Sequence, residues 1–315
     1  MAVHAFIFPG QGSQAVGMGR DLAASFAPAR HVFEEVDEVL KQKLSKLMFE
    51  GPSDELTLTE NAQPALMAVS LAVLRVLQLE GGISLERKAK LVAGHSLGEY
   101  AALAAAESFS VAETARLLKL RGQAMQKAVA PGIGAMAALL GVEFEAAREI
   151  CRQAEANGEI VSAANDNGGG QVVISGHKTA VERAIDIAKA QGVKRAMLLP
   201  VSAPFHCALM APAADAMAEA FANIPPRTPV VPVVANVTAA PTTDPNTIRD
   251  LLVQQVTATV RWRESVLAMT AAGIDSFIEI GAGKVLAGLV KRISPDATTH
   301  SIGSPADIEA ILKVL

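Results

Sequence analysis

Residues 90–106, KLVAGHSLGEYAALAAA, join a short apolar run to an alanine-rich segment through a turn flanked by glycines. Residues 91–93 have the length and composition of a buried strand, and residues 99–107 have the composition of a helix. A strand that passes through a sharp turn into a helix is the repeating unit of α/β proteins. This stretch therefore predicts an α/β fold with a mostly parallel sheet covered by helices.

The alternation of strands and helices continues on both sides of this stretch. Strand patterns lie at residues 5–8, 230–236 and 276–280. Helical patterns lie at residues 64–79, 111–128, 247–255 and 264–271, and another begins at Lys284. A chain of 315 residues of which 50% are hydrophobic can bury the large core that such a fold needs.

Residues 134–201 have a different pattern, in which the elements follow the order βαββαβ. The predicted strands are 135–140, 160–164, 171–175 and 196–201, and the predicted helices are 144–155 and 179–190. That order is the ferredoxin-like split βαβ signature, and three glycines at 168–170 predict a hairpin turn. We expect a small domain at 131–200, inserted in a large α/β domain made of 1–130 and 201–315. The alternative is a single continuous sheet.

The composition argues against several classes of protein. A protein that binds nucleic acid needs a surplus of basic residues and aromatic side chains on which bases can stack. A net charge of −4 with one Trp and one Tyr does not fit that class. Cys151 and Cys207 are too few for a disulfide framework or a zinc cluster, and we expect no metal and no cofactor. The N-terminus lacks the regions of a signal peptide, and no run of about 18 apolar residues predicts a membrane span. We expect a cytoplasmic monomer.

Ser96 lies between Gly94 and Gly98 in the pattern G-x-S-x-G, which in a strand–turn–helix context is typical of a serine nucleophile. The turn needs glycine where a Cβ atom would clash, and it lifts the hydroxyl above the helix N-terminus. Backbone N–H groups there, that of Leu97 first among them, can stabilise an oxyanion. The alternative is an ordinary glycine-rich turn with a capping serine.

A serine nucleophile needs a proton acceptor, and His206 is the best placed of the six histidines. It follows a predicted strand end, where the sites of α/β proteins assemble, and Pro204 restricts its loop. His95 adjoins Ser96, but neighbouring residues on so tight a turn point apart. The alternative is a histidine with a purely structural hydrogen bond, and the pattern indicates no aspartate as a third member.

The helix predicted at residues 111–128 carries one charge on its apolar side. At about 100° per residue its other long polar side chains gather on one arc, whereas Arg121 falls on the opposite half with Leu117 and Met125. A buried guanidinium is costly without an anionic partner. Two explanations remain open from the residues: an internal ion pair, or a clamp for a substrate carboxylate.

Residues 10–15, GQGSQA, follow a strand and fit the dinucleotide-binding fingerprint G-x-G-x-x-A. That motif requires a second strand that ends in an acidic residue about 20 residues later, but residues 29–47 are helical and charged. We therefore reject nicotinamide binding. The loop still brings backbone N–H groups and the amide of Gln11 to a strand end, where they could act as oxyanion donors.

Several motifs occur together and in a fixed order along the chain. They are FPGQGSQ at 8–14, QPA at 63–65, GHSLGEY at 94–100, RGQAM at 121–125, NDNG at 165–168, QVVISG at 171–176, His206, and GAGKVL at 281–286. Together they resemble the malonyl-CoA:acyl carrier protein transacylases, and the resemblance runs from Phe6 to about Ile293. It implies an α/β-hydrolase-like large domain with a ferredoxin-like insert.

The resemblance also implies a role for individual residues. Arg121 would pair with the carboxylate of a malonyl group. The implied catalytic residues are Ser96 as nucleophile, His206 as general base, Gln11 and Leu97 as backbone oxyanion donors, and Gln255, whose main-chain carbonyl would orient the histidine. The implied pocket residues are Gln63, Met125, Asn165, Asn167, His95 and Phe205.

The implied reaction is ping-pong transfer of malonyl from malonyl-CoA to acyl carrier protein in fatty acid synthesis. A serine thioesterase or hydrolase, a non-catalytic carrier-binding scaffold and an acyltransferase of polyketide assembly are the alternatives. Phe205 stands where many relatives carry serine, which we expect to disfavour a methylmalonyl group. Because such carrier proteins are acidic, we expect a local basic docking face among Lys194, Arg195, Lys284, Lys291 and Arg292.

Overall fold

A computed structural model describes residues 2–201 and 203–315. In these residues ten strands form two separate sheets, with helices packed around them. The strands are β1 (His4–Phe8), β2 (Ala89–Gly94), β3 (Gly134–Leu140), β4 (Val161–Asp166), β5 (Gln171–His177), β6 (Arg195–Leu198), β7 (Val233–Val234), β8 (Pro241–Thr242), β9 (Ser276–Ile280) and β10 (Thr298–Ile302).

The helices are of very unequal length. The described residues also contain a single 3₁₀ turn, Ala208–Met210. They are α1 (Arg20–Ser25), α2 (Ala27–Leu40), α3 (Leu44–Glu50), α4 (Ser53–Thr57), α5 (Thr59–Leu79), α6 (Leu85–Lys88), α7 (Leu97–Ala105), α8 (Val111–Lys127), α9 (Phe144–Ala154), α10 (Lys178–Ala190), α11 (Ala211–Asn223), α12 (Pro245–Gln255), α13 (Trp262–Ala271), α14 (Val285–Ile293) and α15 (Pro305–Ile311).

The larger sheet has the strand order β10-β9-β1-β2-β7-β8 and is parallel except for the β7–β8 pair. Strand β1 is buried at every position because both faces of the sheet are covered. Phe6 and Phe8 belong to one hydrophobic core and Ile7 to another, as the alternation of side chains along a strand requires. Phe8 pairs with Gly94 at the carboxyl ends of β1 and β2, so the loops that follow these strands meet at one edge.

The smaller sheet is antiparallel, with the strand order β4-β5-β3-β6. Its elements follow the predicted order βαββαβ, and α9 and α10 pack on it around a hydrophobic core of its own. The three glycines at 168–170 join β4 to β5 with φ angles of 72°, 57° and 71°, as the predicted hairpin turn requires. The alternative of one continuous sheet is therefore wrong.

Several predicted element bounds differ from the structure for local reasons. The last strand of the smaller sheet ends at Leu198 rather than at 201, because the N–H of Val201 turns back to the carbonyl of Leu199 at 2.9 Å instead of continuing the ladder. The helical stretch predicted at 29–47 contains two helices, since Lys41 takes a left-handed φ of 50° and ends α2. The strand predicted at 230–236 is reduced to the two residues of β7.

Helix α5 is long and apolar enough to cross a membrane by length and composition alone. However, 83% of its apolar window is buried inside the protein, where it packs against α2, α7 and α8. It begins at Thr59, five residues before the predicted start at Pro64, and the proline lies inside the helix. We therefore interpret α5 as a core helix, whose first two turns carry Gln63 toward the edge where β1 and β2 end.

Candidate active site

The turn after β2 holds Ser96 in a backbone conformation that is unusual for a residue with a side chain, with φ of 53° and ψ of −112°. Glycine is required on both sides of it. A Cβ atom on Gly94 would lie 1.9 Å from the carbonyl carbon of Gly98, and one on Gly98 would lie 2.2 Å from the carbonyl oxygen of Phe8. The close packing of this turn against the end of β1 holds the strained serine above the N-terminus of α7.

Ser96 and His206 are 110 residues apart in sequence and in direct contact in the fold. Ser96 Oγ lies 2.7 Å from His206 Nε2, and His206 Nδ1 lies 2.8 Å from the main-chain oxygen of Gln255. A carbonyl oxygen can only accept, so Nδ1 carries the proton and Nε2 is left as an acceptor for the serine hydroxyl. The main-chain carbonyl at the end of α12 thus takes the place of the carboxylate that is the third member of a Ser-His-Asp triad.

Burial keeps the imidazole of His206 neutral. The side chain is buried, and burial together with the nearby positive charge of Arg121 lowers the pKa of His206 to about 3. At neutral pH the ring is therefore ready to accept a proton from Ser96 rather than already carrying one.

Arg121 projects from α8 into the same place and is 1% exposed. Its Nη1 donates to Gln63 Oε1 at 2.8 Å, and its Nη2 donates to Gln255 Oε1 at 2.9 Å and to Ser96 Oγ at 3.2 Å. All three acceptors are uncharged, and no carboxylate of the described residues lies within salt-bridge distance. A direct internal ion pair is therefore wrong as an explanation of this buried charge, and the carboxylate clamp stays a prediction.

A cavity of about 470 Å³ opens beside Ser96, His206 and Arg121. The predicted pocket residues lie together in its wall, although they come from three helices, from strand β4 and from several loops. They are Gln11, Gln63, His95, Leu97, Met125, Asn165, Asn167 and Phe205. Gln255 lies behind this wall and is completely buried, which fits a residue that acts through its main chain.

Three polar contacts fix the cavity wall. Gln63 bridges two neighbours on α8, because it accepts from Arg121 and its Nε2 lies 3.7 Å from the sulfur of Met125. His95 Nε2 lies 2.9 Å from Asn167 Oδ1, and burial lowers the pKa of His95. His95 therefore turns away from its neighbour Ser96, as expected on a tight turn, and connects the two sheets.

The predicted oxyanion donors lie on the two loops that meet at this edge. Leu97 is the first residue of α7, so its N–H has no partner in an earlier helical turn. The side-chain amide of Gln11 donates to Thr59 Oγ1 at 3.2 Å. The backbone N–H of Gln11, rather than its side chain, therefore remains the predicted donor.

Two further residues, Asn236 and Glu99, hold the turn, although no sequence pattern marked them as functional. Asn236 Oδ1 accepts from the Ser96 N–H at 2.7 Å, and Asn236 Nδ2 donates to the carbonyl of Gly94 at 2.7 Å. The N–H of Asn236 in turn donates to Glu99 Oε2 at 3.0 Å. Asn236 could have been found from its place at the end of a predicted parallel strand, and Glu99 from its charge in an alanine-rich helix.

Comparison with known proteins agrees with this geometry. Residues 5–302 match the family model described as acyl transferase domain. The malonyl CoA-acyl carrier protein transacylase of Escherichia coli K12 is 46% identical over 314 residues, which cover 100% of both chains. The chain belongs to the malonyl CoA-acyl carrier protein transacylases.

Other transacylases of this family give the same result. The protein of that name from Bacillus subtilis is 44% identical and covers 100% of this chain and 98% of its own. The crystal structure of the acyl-carrier-protein-S-malonyltransferase from Bartonella henselae is 55% identical, with a TM-score of 0.97 over 99% of both chains. A malonyl-transacylase solved in complex with its type II PKS acyl-carrier protein is 44% identical, with a TM-score of 0.95 over 100% of both chains.

Proposed function

We propose that this protein transfers a malonyl group from malonyl-CoA to the phosphopantetheine thiol of acyl carrier protein in fatty acid synthesis. The observation that carries the proposal is the contact of Ser96 Oγ with both His206 Nε2 and Arg121 Nη2. One hydroxyl thus meets a base and a buried cation that suits a carboxylate. Full-length relatives with this name support the choice of donor and acceptor.

In the first half-reaction the carboxylate of malonyl-CoA binds the Arg121 guanidinium. Ser96 Oγ attacks the thioester carbon while His206 Nε2 takes the hydroxyl proton. The backbone N–H groups of Leu97 and Gln11 stabilise the oxyanion that forms. When the carbon–sulfur bond breaks, the departing CoA thiolate takes the proton from His206, and the malonyl group remains as an ester of Ser96.

The second half-reaction runs the same steps in reverse with a new thiol. The thiol of the carrier protein gives its proton to His206 and attacks the ester carbon. The carbon–oxygen bond to Ser96 breaks, and the proton returns from His206 to the serine oxygen. The carbonyl of Gln255 holds the Nδ1–H of the imidazole in both halves, so Nε2 stays the atom that moves the proton.

The acceptor has a second candidate with an observation in its favour. The malonyl-transacylase solved with its type II PKS acyl-carrier protein is similar to this chain over its whole length. A carrier protein of a polyketide system is therefore the alternative to one of fatty acid synthesis. A thioesterase would need the same serine and histidine, but it gives no reason for a buried arginine beside them.

We also propose the finer description of the fold. The large domain, 1–130 with 201–315, is α/β-hydrolase-like, and the small domain, 131–200, is ferredoxin-like. The strand order of the smaller sheet and its separate core support this division. The cavity is lined from both sides, by Ser96 of the large domain and Asn167 of the small one. We expect the protein to act as a monomer in the cytoplasm.

The docking face for the carrier protein is a further part of the proposal. Lys284, Arg292 and Lys291 are exposed on and before α14, whose Val285 and Leu289 line the cavity. Lys194 and Arg195 are exposed at the far end of β6, about 13 Å along the strand from Leu199 in the cavity wall. The cations of α14 are thus nearer the mouth of the cavity.

A transfer assay tests the proposed function. Radiolabelled malonyl-, acetyl- and methylmalonyl-CoA are mixed with the protein and with phosphopantetheinylated carrier proteins of the fatty acid and type II polyketide classes. We expect label from malonyl-CoA on the carrier protein and, without carrier, a malonyl adduct on Ser96 by mass spectrometry. Ser96→Ala is the control. Release of free malonate without transfer to either carrier would identify a hydrolase instead.

A further inference from the structure

Glu99 brings a buried carboxylate directly behind the site. It lies in the first turn of α7, three residues after Ser96, and is 2% exposed. Its Oε2 accepts two hydrogen bonds, from the N–H of Asn236 at 3.0 Å and from Gln255 Nε2 at 2.8 Å. Both donors are neutral, so an amide at position 99 could accept the same bonds. The hydrogen bonds alone do not explain a charge here, which is costly to bury.

The side chain of Gln255 lies between this carboxylate and the buried guanidinium. Its Oε1 accepts from Arg121 Nη2 at 2.9 Å, and its Nε2 donates to Glu99 Oε2. The amide dipole therefore points its oxygen to the cation and its N–H to the anion, which stabilises both charges. Burial lowers the pKa of Arg121, whereas Tyr100, whose ring centroid lies 5.4 Å from the guanidinium carbon, and Glu99 raise it. Glu99 is the carboxylate of these two neighbours, and the hydrogen-bond acceptors of Arg121 are all neutral.

We infer that Glu99 is the counter-charge of Arg121 in the empty site, a positioning residue that orients Gln255 and limits how tightly Arg121 holds the malonyl carboxylate. The inference rests on the proposed function. When the malonyl carboxylate arrives, one guanidinium faces two anions in a region of low dielectric. The attraction of Arg121 for the acyl group is thus weaker than that of an uncompensated cation. A moderate hold allows the malonyl group to move on to the carrier thiol.

The ionisation of the neighbouring groups supports this assignment. Burial raises the pKa of Glu99 to about 7, against the hydrogen bonds from Asn236 and Gln255 and the charge of Arg121, which lower it. Burial raises the pKa of Tyr100 to about 12 and lowers those of His206, to about 3, and His95, so these three are neutral. Glu99 is therefore the group of this cluster that can take up a proton near neutral pH when a second carboxylate binds.

A double-mutant cycle on stability tests the charge pairing without any substrate. Both donors reach one oxygen of Glu99, so Glu99→Gln can keep both hydrogen bonds and remove the charge. At pH 8 we expect Glu99→Gln to lower the unfolding midpoint by about 5 °C with Arg121 present and by about 1 °C in the Arg121→Met background. Equal losses in both backgrounds, or a failure to fold in both, would overturn the inference.

The control for additivity is Glu279→Gln, which removes a second buried carboxylate and, unlike Glu99→Gln, also loses a hydrogen bond, because the two oxygens of Glu279 accept from different donors. Glu279 is also completely buried and accepts from the backbone N–H groups of Leu286 and Ala287, away from Arg121. Its replacement should lower the midpoint by the same amount in both backgrounds. The cycle uses no substrate, so it can be evaluated even if the protein turned out not to transfer malonyl.

The kinetic test compares two donors that differ by one carboxylate. We expect Glu99→Gln to lower the KM for malonyl-CoA about fivefold and to leave that for acetyl-CoA within about twofold, because acetyl does not touch Arg121. A purely structural defect changes both donors alike. Parallel changes for malonyl and acetyl, or a raised KM for malonyl-CoA alone, would contradict the assigned role.

Discussion

Arg121 Nη2 lies 3.2 Å from Ser96 Oγ, so the buried cation of the site touches the atom that we propose as nucleophile. A single methylene separates the two carboxyl carbons of a malonyl group. The closeness of the guanidinium to the serine therefore fits a short diacid, in which the anchored carboxylate and the attacked carbon are neighbours.

Arg121→Ala is expected to lose malonyl transfer about 100-fold while gaining use of acetyl-CoA relative to malonyl-CoA, because the charge-assisted contact to the carboxylate is lost. The measurement is kcat/KM for formation of the acyl-enzyme from each donor. Arg116→Ala, at an exposed position of the same helix, is the control and should behave as the unchanged protein. An unaltered preference for malonyl in Arg121→Ala would contradict the clamp.

The rate of acylation is expected not to fall at about pH 6.5, where an ordinary histidine base becomes protonated. His206 acts as a base only when neutral, and its pKa of about 3 keeps it neutral at every higher pH, so activity falls only as the pH drops toward that value. With acetyl-CoA, acylation should therefore stay nearly constant from about pH 5 to 8, a range that includes the ordinary histidine pKa. Rapid-quench rates across this range measure it.

The Arg121→Met variant gives the matching control. The charge of Arg121 is one of the causes that lower the pKa of His206, so its removal should move the acid limb to higher pH. A limb near pH 6.5 in the unchanged protein, or no movement in the variant, would contradict this account of the base.

The sequence predicted those parts of the site that depend on local pattern. Ser96 follows from a strand, a turn and a helix within 17 residues, and the burial of Arg121 follows from helical periodicity. The contacts of these residues were not readable, since Asn236 binds the Ser96 N–H from 140 residues away and Gln255 holds His206 from 49 residues away. The hydrophobic periodicity of a segment contains no information about which loops meet at a sheet edge. The family resemblance, not the pattern, supplied Gln255.

Asn236→Ala should destabilise the turn that holds Ser96. The replacement leaves the N–H of Ser96 and the carbonyl of Gly94 without their partner, which we expect to lower the free energy of unfolding by about 2 kcal/mol. Denaturant unfolding measures this, together with the rate of acylation, which should also fall. Asn223→Ala is the control, because that exposed side chain bonds only within its own helix end. Equal stability of the two variants would show that the turn does not depend on Asn236.

Phe205→Ser is expected to widen the cavity beside His206. Phe205 is buried in the cavity wall, so its removal opens space for the extra methyl group of methylmalonyl-CoA, at a cost of about 3 kcal/mol in stability. We expect the ratio of kcat/KM for methylmalonyl-CoA to that for malonyl-CoA to rise about tenfold. Phe26→Ser, which does not line the cavity, should leave the ratio unchanged. A constant ratio in Phe205→Ser would show that the aromatic ring of Phe205 does not determine the selectivity between the two donors.

Charge reversal near the cavity mouth tests the docking face. Lys284 and Arg292 are exposed on either side of the part of α14 that lines the cavity, so an acidic carrier protein that reaches Ser96 with its phosphopantetheine would pass close to both. The double variant Lys284→Glu/Arg292→Glu should raise the KM for carrier protein about tenfold and weaken its salt dependence. Acylation by a malonyl thioester without a nucleotide should not change. Lys46→Glu, at an exposed position of α3, a helix that does not line the cavity, is the control. An unaltered KM for carrier protein would show that the carrier protein does not dock on α14. Lys194 and Arg195 would then be the remaining candidates.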